Sequence, residues 1–77
     1  FFASREMKLT HPYMRGEDVK ALQQALQDEG YEPGQIDGVF GKKTERAVKR
    51  FQKACGLKAD GIAGKRTCFA LGIPFDA

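Results

Sequence analysis

Asp37-Gly38-Val39-Phe40-Gly41-Lys42-Lys43-Thr44 returns further along the chain as Asp60-Gly61-Ile62-Ala63-Gly64-Lys65-Arg66-Thr67. Both stretches have the form D-G-[VI]-x-G-K-[KR]-T, and each leads into a segment of helical spacing. Ahead of the first copy, Val19, Leu22, Ala25 and Leu26 recur every three or four residues, the stripe of an amphipathic helix. Glu17 and Asp18 fall in its first turn, where carboxylates suit the positive end of the helix dipole. Gly30 stops it. With Gly30 as the left-handed residue, Leu26 and Tyr31 occupy the two positions that pack together in a Schellman cap. The device is expected again where Ala47, Val48, Phe51, Ala54 and Cys55 end at Gly56-Leu57, and where Lys65 to Leu71 ends at Gly72-Ile73.

These signals predict an all-α chain, a small three-helix bundle with two Asp-Gly-x-x-Gly loops and an extended N-terminal lead-in. The divisions expected are residues 1–15 as lead-in or linker, 16–73 as the helical domain and 74–77 as a tail. A second echo, V-K-x-[LF]-Q at Val19 to Gln23 and Val48 to Gln52, makes the chain two unequal copies of helix, glycine stop and loop. In each loop the aspartate is expected to accept backbone N–H groups downstream, as in an Asx-turn. Val39 and Ile62 are expected to turn into the core. Thr44 and Thr67 should bond free backbone groups in the first turn of their helices, and Gln23 and Gln52 should bond backbone rather than ligand.

Composition bounds the rest. The chain has 77 residues, 42% of them hydrophobic, and Leu, Ile, Val and Phe together number only 17. That suffices for one domain with a small core. No apolar run approaches the roughly 20 residues of a membrane span. No charged n-region, apolar h-region and cleavage site opens the chain. Starting at Phe1-Phe2, the chain reads as a fragment of something longer.

The net charge of +3 is divided unevenly. Residues 1–38 hold four Lys/Arg against seven Asp/Glu, whereas residues 39–77 hold nine against three. On a helical wheel Lys42, Arg46, Lys49, Arg50 and Lys53 lie opposite the apolar face of the second helix. This is the ordinary place for a solvated charged face, and also a surface for an anionic polymer. No aromatic residue interleaves the row to stack bases, which disfavours nucleic acid.

Catalytic chemistry is poorly provided for. The one histidine, His11, and the one serine, Ser4, both lie in the lead-in, so no rigid triad is expected. One His and two separated Cys do not make a four-ligand zinc site. The Gly-Lys-Lys and Gly-Lys-Arg steps fail the phosphate-loop pattern, since Ile36 and Ala59 replace its first glycine and Lys43 and Arg66 its hydroxyl. G-x-x-G without a sheet is not a nucleic-acid clamp of the KH type. The residues after Asp37 lack the alternating oxygen ligands of a calcium loop. The chain is read as no enzyme, with no cofactor and no metal. Cys55 and Cys68 are read as two buried thiols.

The ordered series G-x-D-V-K-x-L-Q from Gly16, Gly30-Tyr31, D-G-V-F-G-x-x-T-x-x-A-V-x-x-F-Q from Asp37, Gly56-Leu57 and D-G-I-x-G-x-x-T from Asp60 closely resembles the peptidoglycan-binding domain family of bacterial and phage cell-wall hydrolases. The match runs from about Leu9 to Leu71. The resemblance implies a non-catalytic three-helix module in an exported, wall-associated setting, linked to a catalytic domain, monomeric, with no membrane or nucleic-acid partner. Its ligand would be the glycan or stem peptide. The candidate binding residues lie where the first helix stop meets the first loop: Tyr31, Gln35, Asp37, Phe40 and Thr44, with Arg46 as partner for a stem-peptide carboxylate. Cys68 departs from the larger apolar residue expected there in the family, which raises a Cys55–Cys68 bridge as an alternative.

Two other functions stay open. A similar helical fold occurs in inhibitory propeptides of matrix metalloproteinases, but Cys55-Gly56 follows Lys53-Ala54 rather than the P-R of their cysteine switch. An inhibitory or interaction prodomain acting on its own enzyme would bind independently of wall polymer. A basic-helix binder of polyanions or nucleic acid would release its ligand as salt rises.

Overall fold

The computed structural model describes residues 3–76. Its elements are α1 (Glu17–Asp28), α2 (Lys42–Ala54) and the short α3 (Lys65–Ala70), with no strand among the described residues. This is the small all-α architecture expected. Each helix ends at the predicted glycine. Gly30, Gly56 and Gly72 have φ of 89°, 75° and 77°, a region that costs any residue with a Cβ. The two Schellman bonds form at each stop. Tyr31 N–H reaches Leu26 O at 2.8 Å and Gly30 N–H reaches Gln27 O at 2.9 Å. The equivalent long bonds run from Leu57 to Gln52 O and from Ile73 to Cys68 O, each at 2.8 Å.

The helices bury the faces their periodicity specifies. Val19, Leu22 and Leu26 of α1 meet Ala47, Val48 and Phe51 of α2, and Cys68 of α3 joins the same cluster. Burying the Val, Leu and Phe side chains contributes about 1.5–3 kcal/mol each. Four polar residues are buried with them: Gln23 and Gln52, each 1% exposed, and Thr44 and Thr67.

The lead-in is extended and packed. Met7 is fully buried and pairs with Ala63 through two backbone hydrogen bonds, 3.1 and 2.8 Å. Ala3 is likewise buried, donating to Pro74 O at 2.7 Å. Arg5 grips Asp18 at the start of α1 with Nε at 2.7 Å and Nη2 at 3.0 Å, and Nη2 also donates to Arg15 O at 2.7 Å. The lead-in is thereby fastened to both ends of the helical set.

Four expectations need correction. Val39 and Ile62 do not enter the core; they are half-buried, and Phe40 and Ala63 are buried in their place. Adjacent residues on extended backbone point to opposite faces, and Phe40 is fixed inward because its N–H donates to Met14 O at 2.8 Å. Ala54 and Cys55 continue the apolar stripe of α2 in sequence but are exposed. The buried part of the helix ends with Phe51 and Gln52, so its last turn overhangs the core. Of the two thiols only Cys68 is buried, and both are free, with no bridge between them. Finally, the threonines do not cap their helices; the N-cap positions carry glycine with no side-chain cap bond, and the hydroxyls are engaged elsewhere, as described next.

Candidate functional site

Gln23 holds the first Asp-Gly loop against α1. Its Nε2 donates to Thr44 Oγ1 at 3.0 Å, Val39 O at 3.0 Å and Asp37 Oδ1 at 3.2 Å. Its Oε1 accepts the N–H groups of Asp37 and Gly38 at 3.0 and 2.8 Å. Gln52 repeats the arrangement at the second loop, with Nε2 on Thr67 Oγ1, Ile62 O and Asp60 Oδ1, and Oε1 on Gly61 N–H. One buried amide therefore uses both donor and acceptor capacity on a single loop, which explains how a glutamine is tolerated in each apolar stripe.

The loop aspartates complete these turns. Asp37 Oδ1 accepts Val39 N–H at 2.9 Å, and Asp60 Oδ1 accepts Ile62 N–H at 2.9 Å, the Asx-turns expected from the sequence. These backbone bonds hold both carboxyls below the usual carboxylate range, with the glutamine amides adding to the effect.

A groove of about 370 Å³ opens over the first network, lined among others by Tyr13, Gln35, Asp37, Lys42, Lys43 and Thr44. A counterpart of about 330 Å³ lies over the second, where Glu6 and Asp60 face Lys65 and Arg66. A third groove of about 590 Å³ lies between the end of α1 and the face of α2, lined by Gln27, Glu32, Lys43, Arg46 and Arg50 together with Gly30 and Gly34.

The structure divides the predicted binding residues among these places. Gln35 and Asp37 are exposed in the first groove. Thr44 also lines it but is only 2% exposed, with its hydroxyl committed to Gln23. Phe40 is fully buried in the core and presents no surface to a ligand. Tyr31 lines none of these three grooves; its ring is half-buried and meets Phe51 edge-on with centroids 5.6 Å apart. Arg46 is exposed in the third groove, away from Gln35 and Asp37. Tyr13, Lys42 and Lys43 line the first groove but were missing from the sequence-based set. Tyr13, 39% exposed, lies on irregular chain where no period marks it. Lys43 was marked only by the [KR] position of the repeat.

No group of three or more His, Cys, Asp or Glu among the described residues is placed to hold a metal ion. No helix among them is long and apolar enough to cross a membrane. His11 is exposed, its ring 5.6 Å from that of Tyr13.

Residues 15–71 match the family model of the peptidoglycan binding domain. The chain belongs to this family. It is 46% identical over 66 residues to the N-acetylmuramoyl-L-alanine amidase CwlL of Bacillus licheniformis, a match covering 78% of this chain and 18% of the amidase. It is 48% identical over 52 residues to a spore cortex-lytic enzyme of Bacillus cereus, covering 68% of this chain and 20% of that enzyme. The crystal structure of the SleB N-terminal domain is similar throughout, with a TM-score of 0.85, 38% identity and 94% of both chains covered. The chain thus spans a fifth or less of these two curated relatives. What it shares with them is the peptidoglycan-binding domain, a non-catalytic module.

Proposed function

We propose that this domain binds peptidoglycan outside the cell, as a monomer, and so holds a linked wall hydrolase on its substrate. The observation that carries this reading is the family match over residues 15–71, in a chain whose named relatives include an amidase and a cortex-lytic enzyme. A module of modest affinity is useful in that setting because it raises the effective concentration of the attached enzyme at an insoluble substrate.

The first groove is the proposed ligand site. Tyr13 offers an aromatic surface, and Gln35, the free oxygen of Asp37 and the Lys42 ammonium offer polar contacts suited to hydroxyls and amides. Gln23 and Thr44 serve from beneath by fixing the loop. Residues 16–73 are the binding body in this reading, with residues 3–15 strapped along it.

Co-sedimentation with sacculi stripped of phosphate polymers tests the proposal. Retention at both low and high salt is expected, reduced several-fold by Tyr13→Ala or Gln35→Ala with unfolding temperature unchanged. Both side chains are exposed, where substitution usually alters stability by less than about 0.5 kcal/mol. Absence of retention at either salt would overturn the reading.

A further inference from the structure

The groove between α1 and α2 carries a row of cations that the fold does not use. Lys43, Arg46 and Arg50 line it from one face of α2. At 1.5 Å of rise per residue their origins are spaced by about 4.5 and 6 Å along the helix axis. Glu32 is the one carboxylate in the lining. The ion pair found among the described residues is Arg5–Asp18, so neither Glu32 nor any other described carboxylate lies within ion-pairing distance of these three.

Helix capping does not account for the row. Three carbonyls in the last turn of α1 already have partners: Ala25 O takes Glu29 N–H, Leu26 O takes Tyr31 N–H and Gln27 O takes Gly30 N–H, and none of the three cations donates to a carbonyl there. The loop also accommodates the first cation. Gly34 has φ +88°, and a Cβ there would lie 3.1 Å from Lys43 Cδ and 3.3 Å from its Cβ. The bare glycine lets the lysine stem lie against the loop at the mouth of the groove.

We infer that this groove binds an anionic, phosphodiester-linked polymer that lacks bases. Three cations in line match an anion repeated along a chain better than a single carboxylate, and two guanidiniums supply forked donors that fit phosphate oxygens. No aromatic residue lines the groove to stack a nucleobase, which separates this ligand from nucleic acid. Lys43 also lines the first groove, so the two ligands would lie on adjoining surfaces. The inference rests on the wall-binding reading only for where such a polymer would be met.

The test is titration of the isotope-labelled chain with a short poly(glycerol phosphate), followed by amide shifts. A phosphate-free muropeptide and a single-stranded oligonucleotide of equal phosphate number run in parallel. Saturable shifts at Lys43, Arg46 and Arg50 are expected with poly(glycerol phosphate). Affinity should weaken about tenfold or more in the Arg46→Gln/Arg50→Gln double variant, while that variant keeps its unfolding temperature. The inference is overturned if poly(glycerol phosphate) gives no saturable shifts, or if the double variant binds it undiminished. It is also overturned if the muropeptide occupies the row instead, or if the oligonucleotide binds equally well. Sedimentation on phosphate-free sacculi reports on the first groove separately, so either proposal can fail alone.

Discussion

Gln23 and Gln24 are neighbours with the same side chain and opposite consequences. Gln23 is 1% exposed and organises the whole first loop. Gln24 is exposed and donates only to Asp28 at 3.0 Å within its own helix. Gln23→Leu would fill the space yet strip the Asp37 and Gly38 N–H groups of their acceptor. An unsatisfied buried polar group costs about 1–3 kcal/mol, so thermal unfolding should fall by roughly 4–8 °C for each kcal/mol lost in a domain of this size. Gln24→Ala should stay within about 0.5 kcal/mol. The sequence carried a sign of this difference, because Gln23 falls among Val19, Leu22 and Leu26, and Gln52 repeats the position. Which loop atoms these amides would reach was not readable, since their partners lie 14 to 21 residues away for Gln23 and 8 to 15 for Gln52.

Helix ends, by contrast, are decided locally, and there the sequence was most legible. Gly30-Tyr31, Gly56-Leu57 and Gly72-Ile73 each close a Schellman pair within six residues. Nothing distant has to be known. The extended turns between helices were harder to read, because a strand-like segment exchanges its two faces if the register moves by one residue. Phe40 and Ala63 took the inward positions expected of Val39 and Ile62 for that reason. The glycines offer a test of local against non-local constraint. Gly56 has φ +75° with nothing within 4 Å of an added Cβ, whereas at Gly38, with φ +76°, that Cβ would lie 3.0 Å from Gly16 O. Gly56→Ala should cost about 1–2 kcal/mol for the left-handed backbone. Gly38→Ala should cost a further 1–3 kcal/mol or so, because a backbone carbonyl must also move. Paired denaturant melts would check the order; equal losses would show that the close approach is without consequence.

Across the whole molecule, three carboxylates link folding to pH. Asp18 is held below its ordinary value of 3.8 chiefly by the Arg5 guanidinium, and Asp37 and Asp60 chiefly by backbone N–H groups. A native pKa below the unfolded one means the unfolded chain takes up protons first as pH falls. This stabilisation is therefore complete above the unfolded value and is lost as pH drops below about 4 through the native values. Unfolding temperature should decline in that window, and Asp18→Asn should make the decline shallower; a decline already under way at pH 6 would need another cause. The grooves were the least legible feature of the sequence, because each draws on separate segments, as when Tyr13 comes to lie beside Lys42 and Lys43. The cysteines differ just as sharply. Burial pushes the Cys68 thiol up to about 11, while Cys55 stands exposed at the end of α2. The thiolate is the reactive form, so a maleimide dye offered to the native chain has one address. The unmodified sequence already carries a single-point attachment for a fluorescent reporter, and adsorption to insoluble particles can be followed by eye under a microscope with no engineered residue.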